Sequence, residues 1–294
     1  MPSLSRVSTA DVAVIGCGYL GQRVAGLLSE QGASVVAVTR SPQRAERFAR
    51  RGWQTLVGDL GTAVLPRRLT VGSLLFSLGH DRRDDRPVCQ VWSHACENVL
   101  RSVATLSGPM VYVSTTGVYG PSPSASVIDE DSAPAPRRAA AKAHLQMERR
   151  WAESAWSEQC HVLRMGGLYS ADRLPQLAKL RAGQSLTVAP DHWLNLIHGD
   201  DAARIVVAAL TQWKGAGMTV VTDGRPVTRG DFYRHAARCL GLEPPTFDGN
   251  RSDRSSRSAG ARIIRSRHFE TRIRPLLRYP DYRSGLEAAL GAPR

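Results

Sequence analysis

Val12-Ala-Val-Ile-Gly16-Cys-Gly18-Tyr-Leu-Gly21-Gln-Arg-Val-Ala-Gly-Leu-Leu28 is an apolar, β-rich run, then a three-glycine turn, then apolar residues at helical spacing. That order predicts strand, turn and helix. In such a turn Gly16 takes the tight bend, Gly18 lets a pyrophosphate approach the backbone, and Gly21 lets the helix pack closely on the strand. Tyr19 and Leu20 complete the loop. The N–H groups and the positive dipole end at the helix start suit phosphate oxygens.

Twelve residues after Gly21 a second buried strand begins, Ala33-Ser-Val-Val-Ala-Val-Thr39, and it ends in Arg40. An unmodified ribose asks for Asp or Glu at this point, whereas a 2′-phosphate asks for a cation with planar donors. Arg40, Ser41 and Arg44 supply cation, hydroxyl and cation before the first acid, Glu46. The expected cofactor is therefore NADP, ahead of NAD.

A chain of 294 residues buries a full core and fits one large α/β domain or one domain with a smaller lobe. Met1 to Asp11 is short and polar, and no segment reaches the ~18 apolar residues of a membrane span, so a cytoplasmic protein is expected. Cys17, Cys89, Cys96, Cys160 and Cys239 are odd in number and lack paired spacing. They read as reduced thiols, with neither disulfides nor a metal site. The formal charge of +13 comes mostly from arginine, densest from Arg251 to Arg283, where ten occur. That segment suits polyanions, but no zinc finger, RNA-recognition strand motif or basic-zipper heptad accompanies it, so nucleic acid is not the expected partner.

Further strands are expected at Trp53–Val57, Gly72–Gly79, Met110–Ser114 and Cys160–Met165, with helices at 42–51, Val88–Leu106 and Arg137–Glu158. Such alternation argues for a parallel sheet covered on both faces, with ligands at the carboxyl ends of its strands. Ser77 and Gly79 fall at one of those ends and join the cofactor-binding set. Beyond Met165 the alternation loosens: Leu174 to Arg181 reads as helix, Ser185 to Val188 and Trp193 to His198 as extended, then a helix through Leu210, a strand at Met218–Thr222 and a helix from Thr228 to Leu240.

Taken in order, these residues resemble the extended short-chain dehydrogenase/reductases, the branch containing nucleotide-sugar epimerases and dehydratases. Gly58-Asp59-Leu60 is similar to the family element that contacts the adenine. Val113-Ser-Thr-Thr-Gly-Val-Tyr-Gly120 resembles the strand-five motif, whose hydroxyl residue falls on Thr115. Leu163-Arg164 to Tyr169 resembles the loop closing over the nicotinamide. Asn195-Leu-Ile-His198-Gly-Asp-Asp201 resembles the His-x-x-Asp element, and Arg278-Tyr-Pro-Asp-Tyr-Arg-Ser-Gly-Leu286 the C-terminal signature. The resemblance implies a Rossmann-like doubly wound parallel sheet. It assigns residues 1–165 to an NADP-binding domain, rejoined at about 191–222, and 166–294 to a smaller C-terminal substrate lobe. It also implies a small-molecule substrate with a hydroxyl or carbonyl, perhaps a nucleotide-linked sugar, and allows a homodimer.

The family's chemistry rests on a Tyr-x-x-x-Lys pair on the helix after the Pro-rich loop, and here the sequence departs. Aligning the family glutamate on Glu148 puts His144 at the lysine and Ala140 at the tyrosine; a register two residues earlier pairs Lys142 with Arg138. Neither supplies a tyrosine. Either another acid takes its place, from Tyr119, Tyr169, His80 and His144, or the protein binds the nucleotide without turnover. The expected catalytic set is Thr115, Tyr119 and His144. The His198, Asp200 and Asp201 group is expected to cap a helix rather than hold a metal.

Overall fold

The computed structural model describes residues 7–79, 84–121, 127–248 and 262–292. Strands β1 (Val7–Ile15), β2 (Val35–Thr39) and β3 (Gln54–Val57) alternate with helices α1 (Tyr19–Glu30) and α2 (Pro42–Ala49). Then come β4 (Arg68–Phe76), α3 (Val88–Ser102), β5 (Val103–Leu106), β6 (Met110–Thr115), β7 (Val127–Ile128), α4 (Ala139–Ala152) and β8 (Cys160–Met165). The later chain carries β9 (Gly167–Tyr169), α5 (Leu177–Arg181), β10 (Trp193–Leu194), β11 (Leu196–His198), α6 (Gly199–Thr211) and β12 (Gly217–Val221). It closes with β13 (Val227–Thr228), α7 (Arg229–Cys239), β14 (Ile263–Ile264) and α8 (Tyr282–Leu290).

The central sheet runs β12-β8-β6-β4-β1-β2-β3, with β5 beside β4. Every pairing among β1 to β6 is parallel. This is the doubly wound, Rossmann-like architecture expected. Its strand order reverses between β1 and β4, and such a reversal opens a crevice at the strands' carboxyl ends. β2 is buried at all five positions, which a strand covered on both faces requires.

Three boundaries differ from the sequence reading. β1 begins at Val7, because Val7 to Ala10, within the stretch Met1 to Asp11 that reads as short and polar, pair with Arg68 to Val71 of β4. The predicted helix Val88–Leu106 stops at Ser102, where Val103 turns to extended geometry (φ −90°, ψ 117°). β5 then lies along Leu69 to Val71 of β4, and β6 continues along Leu74 to Phe76 of the same edge. Helical periodicity could not separate these segments, since Val103 and Leu106 are buried in either state. Ser185 to Val188 makes only a single bridge, from Leu186 to Phe247.

The chain divides into two compact units. The first comprises Met1–Thr115, Arg138–Leu163 and Ala203–Met218; the second comprises Thr116–Arg137, Arg164–Ala202 and Thr219–Arg294. In the first, the core gathers Ile15, Val36, Leu74, Phe76, Trp92, Met147 and Trp151, with the Phe76 and Trp151 rings edge to face at 5.1 Å. In the second, Tyr169, Leu186, Phe232, Tyr282 and Leu286 form a separate core. Full burial of such side chains stabilises each by about 1.5–3 kcal/mol.

Candidate functional site

The glycine turn sits at the β1 carboxyl end. Gly16 has φ +84°, and a Cβ there would stand 2.7 Å from the Ser77 carbonyl and 2.8 Å from the Leu78 nitrogen. Both neighbours are backbone and cannot yield. A Cβ on Gly21 would meet the Gly16 carbonyl at 2.7 Å and Val14 Cγ1 at 3.0 Å, so this glycine sets how closely α1 packs on β1. Gly18 differs: its nearest neighbour would be 4.0 Å away, which leaves room above the helix start. α1 begins there with no capping side chain and no acid in its first turn, whereas α2, α7 and α8 are capped by Ser41, Thr228 and Asp281. A cradle that a Cβ would fill, at a helix start without a capping side chain, fits a bound pyrophosphate.

Ser77 latches this turn: its hydroxyl donates to the Gly16 carbonyl at 3.0 Å and its N–H to Ile15 at 2.8 Å. Gly79 is exposed beyond it. Tyr19 lies under the Arg23 guanidinium, 4.1 Å from the ring centre, and Leu20 is buried. Leu60 belongs to the core, with its carbonyl held by Asn98 Nδ2 at 2.8 Å.

An ion network that sequence distance concealed surrounds Asp59 and Arg40. Asp59 accepts from the Gly61 N–H at 2.9 Å and from Arg86 at 3.0 Å. Arg86 also grips Asp84 at 2.8 and 2.7 Å, which holds the Asp84 carboxyl down at about 2. Asp84 in turn faces Arg40 at 3.5 Å. Thus an acid does stand beside Arg40, supplied from 44 residues further along the chain. Ser41 spends its hydroxyl as the N-cap of α2, accepting from the Arg44 N–H at 3.3 Å.

Behind Thr115, two polar pairs tie β6 to α4. Tyr112 Oη lies 2.7 Å from His144 Nδ1, and the Ser114 hydroxyl donates to Glu148 at 2.5 Å. The repeat matches on both elements: four helical residues rise about 6 Å and two strand residues about 6.6 Å. His144 also packs on Trp92, with ring centres 4.4 Å apart, and burial pushes its pKa down to about 4. This candidate acid is therefore packed between helix and sheet, with burial favouring its neutral form. Helix α4 (AAAKAHLQMERRWA) contains no tyrosine. Thr115 ends β6, partly exposed. His80 lies outside the described residues.

In the second unit Tyr119 is buried under the Arg164 guanidinium, 4.8 Å from the ring centre. Tyr169 is a core residue: burial raises its phenol far above the usual range, and its hydroxyl abuts Gly285. His198 lies edge-on to Tyr169 and Tyr279, and its Nδ1 accepts from the Asp200 N–H at 3.3 Å. Asp201, fully buried, accepts from the N–H groups of Arg278 at 2.8 Å and Tyr279 at 3.0 Å. The His-x-x-Asp element thereby fastens the C-terminal signature.

Asp223 is the anomaly in this unit. It is 2% exposed; Oδ1 accepts from the Arg225 N–H at 2.9 Å, and Oδ2 is buried without a hydrogen-bond partner. Burial raises its pKa to about 8. An acid whose folded pKa lies above its unfolded value holds a proton that the unfolded chain has lost, so stability falls as pH rises from about 4 and levels off above about 8. Asp223→Asn is expected to stabilise the protein by about 1–3 kcal/mol at pH 7. The gain should shrink toward pH 4, as thermal melts across pH 4–9 will show.

A family model described as the TrkA-N domain matches residues 12–66, the β1 to β3 region with the glycine turn. Protein YeeZ of Escherichia coli K12 is 25% identical over 280 residues, covering 92% of this chain and 96% of YeeZ. A conserved protein of Silicibacter pomeroyi, described as functionally unknown, superposes with a TM-score of 0.71 at 22% identity, over 97% of this chain and 100% of that one. UDP-glucose 4-epimerase of Thermotoga maritima, solved with UDP-glucose, superposes at 0.75 with 14% identity (95% and 97%). MoeE5, solved with UDP-glucose and NAD, does so at 0.71 with 19% identity (95% and 97%). The chain shares the fold of these solved structures, UDP-glucose 4-epimerase among them. No helix among the described residues is long and apolar enough to cross a membrane.

Proposed function

We propose that this chain is an NADP-dependent enzyme of the extended short-chain dehydrogenase/reductase type, acting on a hydroxyl or carbonyl carbon of a small molecule such as a nucleotide-linked sugar. The observation that carries this is the Gly16 to Gly21 turn at the sheet's reversal point, latched by Ser77 and opening onto an α1 start without a capping side chain. In this reading Gly16, Gly18, Tyr19, Leu20 and Gly21 hold the pyrophosphate, with Ser77 and Gly79 beside it. Asp59 and Leu60 meet the adenine, and Arg40 meets the 2′-phosphate, with Ser41 beside it at the α2 cap. When bound, the nicotinamide supplies reversible hydride exchange. Thr115 positions a substrate oxygen, while Tyr119 is the remaining phenol of the strand-five motif. The similarity to proteins solved with NAD and UDP-glucose supports the class of ligands.

Asp84 enters the cofactor choice, because a 2′-phosphate must compete with it for Arg40. Calorimetric titration is expected to show NADPH binding more tightly than NADH, with Arg40→Ala weakening NADPH about tenfold and leaving NADH unchanged. Equal affinities for the two cofactors, both indifferent to Arg40→Ala, would remove the NADP assignment. No binding of either would remove the enzyme reading.

A second reading is favoured by one observation: α4 lacks a tyrosine, and its His144 is occupied with Tyr112. In this reading the protein binds NADP(H) without turnover and reports its redox state. Oxidation of NADPH on adding a carbonyl substrate, followed by absorbance, discriminates between the two.

A further inference from the structure

The second unit contains an open cleft of about 320 Å³ that the proposed function does not use. Three arginines line it, Arg225, Arg265 and Arg283, each from a different part of the chain. Each has an anchored backbone: Arg225 N–H donates to Asp223 at 2.9 Å, Arg265 N–H to the Ile128 carbonyl at 2.9 Å, and Arg283 N–H to Asp281 at 2.9 Å. The Arg283 guanidinium lies 4.7 Å over the Tyr282 ring, which forms one wall, while Trp193, paired with Thr228 across β10 and β13, forms another. The one lining carboxylate, Asp231, already accepts from the Thr228 hydroxyl at 2.8 Å and from Arg234 at 3.0 Å. Arg283 is paired with Asp281 at 3.5 Å and Asp231 with Arg234 at 3.0 Å, so the excess of about two positive charges at the cleft comes from Arg225 and Arg265.

We infer that this cleft binds the dianionic phosphate of a small phosphate monoester. A guanidinium pairs bidentately with phosphate oxygens, and a dianion balances the excess where a monoanionic carboxylate leaves it half neutralised. The aromatic walls exclude water from one side of the ion, which strengthens the pairing. The inference does not rest on the dinucleotide reading, since every residue it uses belongs to the second unit.

The test is fluorescence titration of the full chain with inorganic phosphate and with glycerol phosphate, against acetate at matched ionic strength and in saturating NADP⁺. Both phosphates are expected to quench a tryptophan signal that Trp193→Phe removes. Arg225→Gln and Arg265→Gln should each weaken binding at least tenfold, while Arg274→Gln, on an exposed arginine paired with Glu270, leaves it unchanged. Affinity for glycerol phosphate should fall below pH 6 as the ester dianion takes up a proton and becomes a monoanion. Phosphate binding no tighter than acetate, or equal binding by wild type and Arg265→Gln, overturns the inference. Loss of NADP⁺ binding alone does not affect it.

Discussion

Asp201→Ala is expected to destabilise the protein by about 2–5 kcal/mol, because it leaves two part-buried backbone donors, the N–H groups of Arg278 and Tyr279, without their buried, charged acceptor. The carboxylate is 0% exposed, so water has no ready access to replace it. Asp201→Asn should lose less, since its carbonyl still accepts one of the two bonds while its amide opposes the other. Thermal melting gives the size of the loss. Hydrogen exchange gives its place: the amides of residues 278 and 279 should lose protection before those of the first unit's sheet. A melting temperature unchanged in Asp201→Ala would show that the C-terminal signature is held by packing alone, through Leu286 and Tyr282.

The second large effect separates two glycines that a motif treats alike. Gly16→Ala meets backbone atoms at 2.7 and 2.8 Å with φ at +84°, so the turn itself must shift, at about 1–3 kcal/mol or more. Gly18→Ala meets nothing closer than 4.0 Å and should fold with a melting temperature close to wild type. Its methyl instead fills the space proposed for the pyrophosphate, and dinucleotide affinity should fall at least tenfold. Paired melting and calorimetry of the two variants check this. Gly18→Ala with full affinity would show that the space above the α1 start serves no dinucleotide.

The glycine turn and the buried strand β2 were legible because their signals are local. A turn needing positive φ selects glycine, and a strand buried on both faces selects an unbroken apolar run, as β2 shows. The division of Val88 to Leu106 into α3 and β5 was not legible, since Val103 and Leu106 are apolar for either structure and only the free edge of β4 selects the strand. The polar residues escaped for a related reason. Asp84 appears beside Arg40 only when the chain after β4 returns to the end of β2, and His144 becomes a neutral partner of Tyr112 only when α4 docks on β6.

By itself, then, the sequence determined the Rossmann-like scaffold, the place of the glycine turn and the absence of a tyrosine from α4, because each is written in contiguous residues or in helical and strand periods. The tertiary structure alone decided which charges meet and which are desolvated. It pairs Arg40 with Asp84, buries Asp223 with an oxygen unpartnered, commits Asp201 to the C-terminal signature and draws Arg225, Arg265 and Arg283 around one cleft. Coulomb interactions and desolvation depend on distance and burial in space, and neither quantity has a period in the chain.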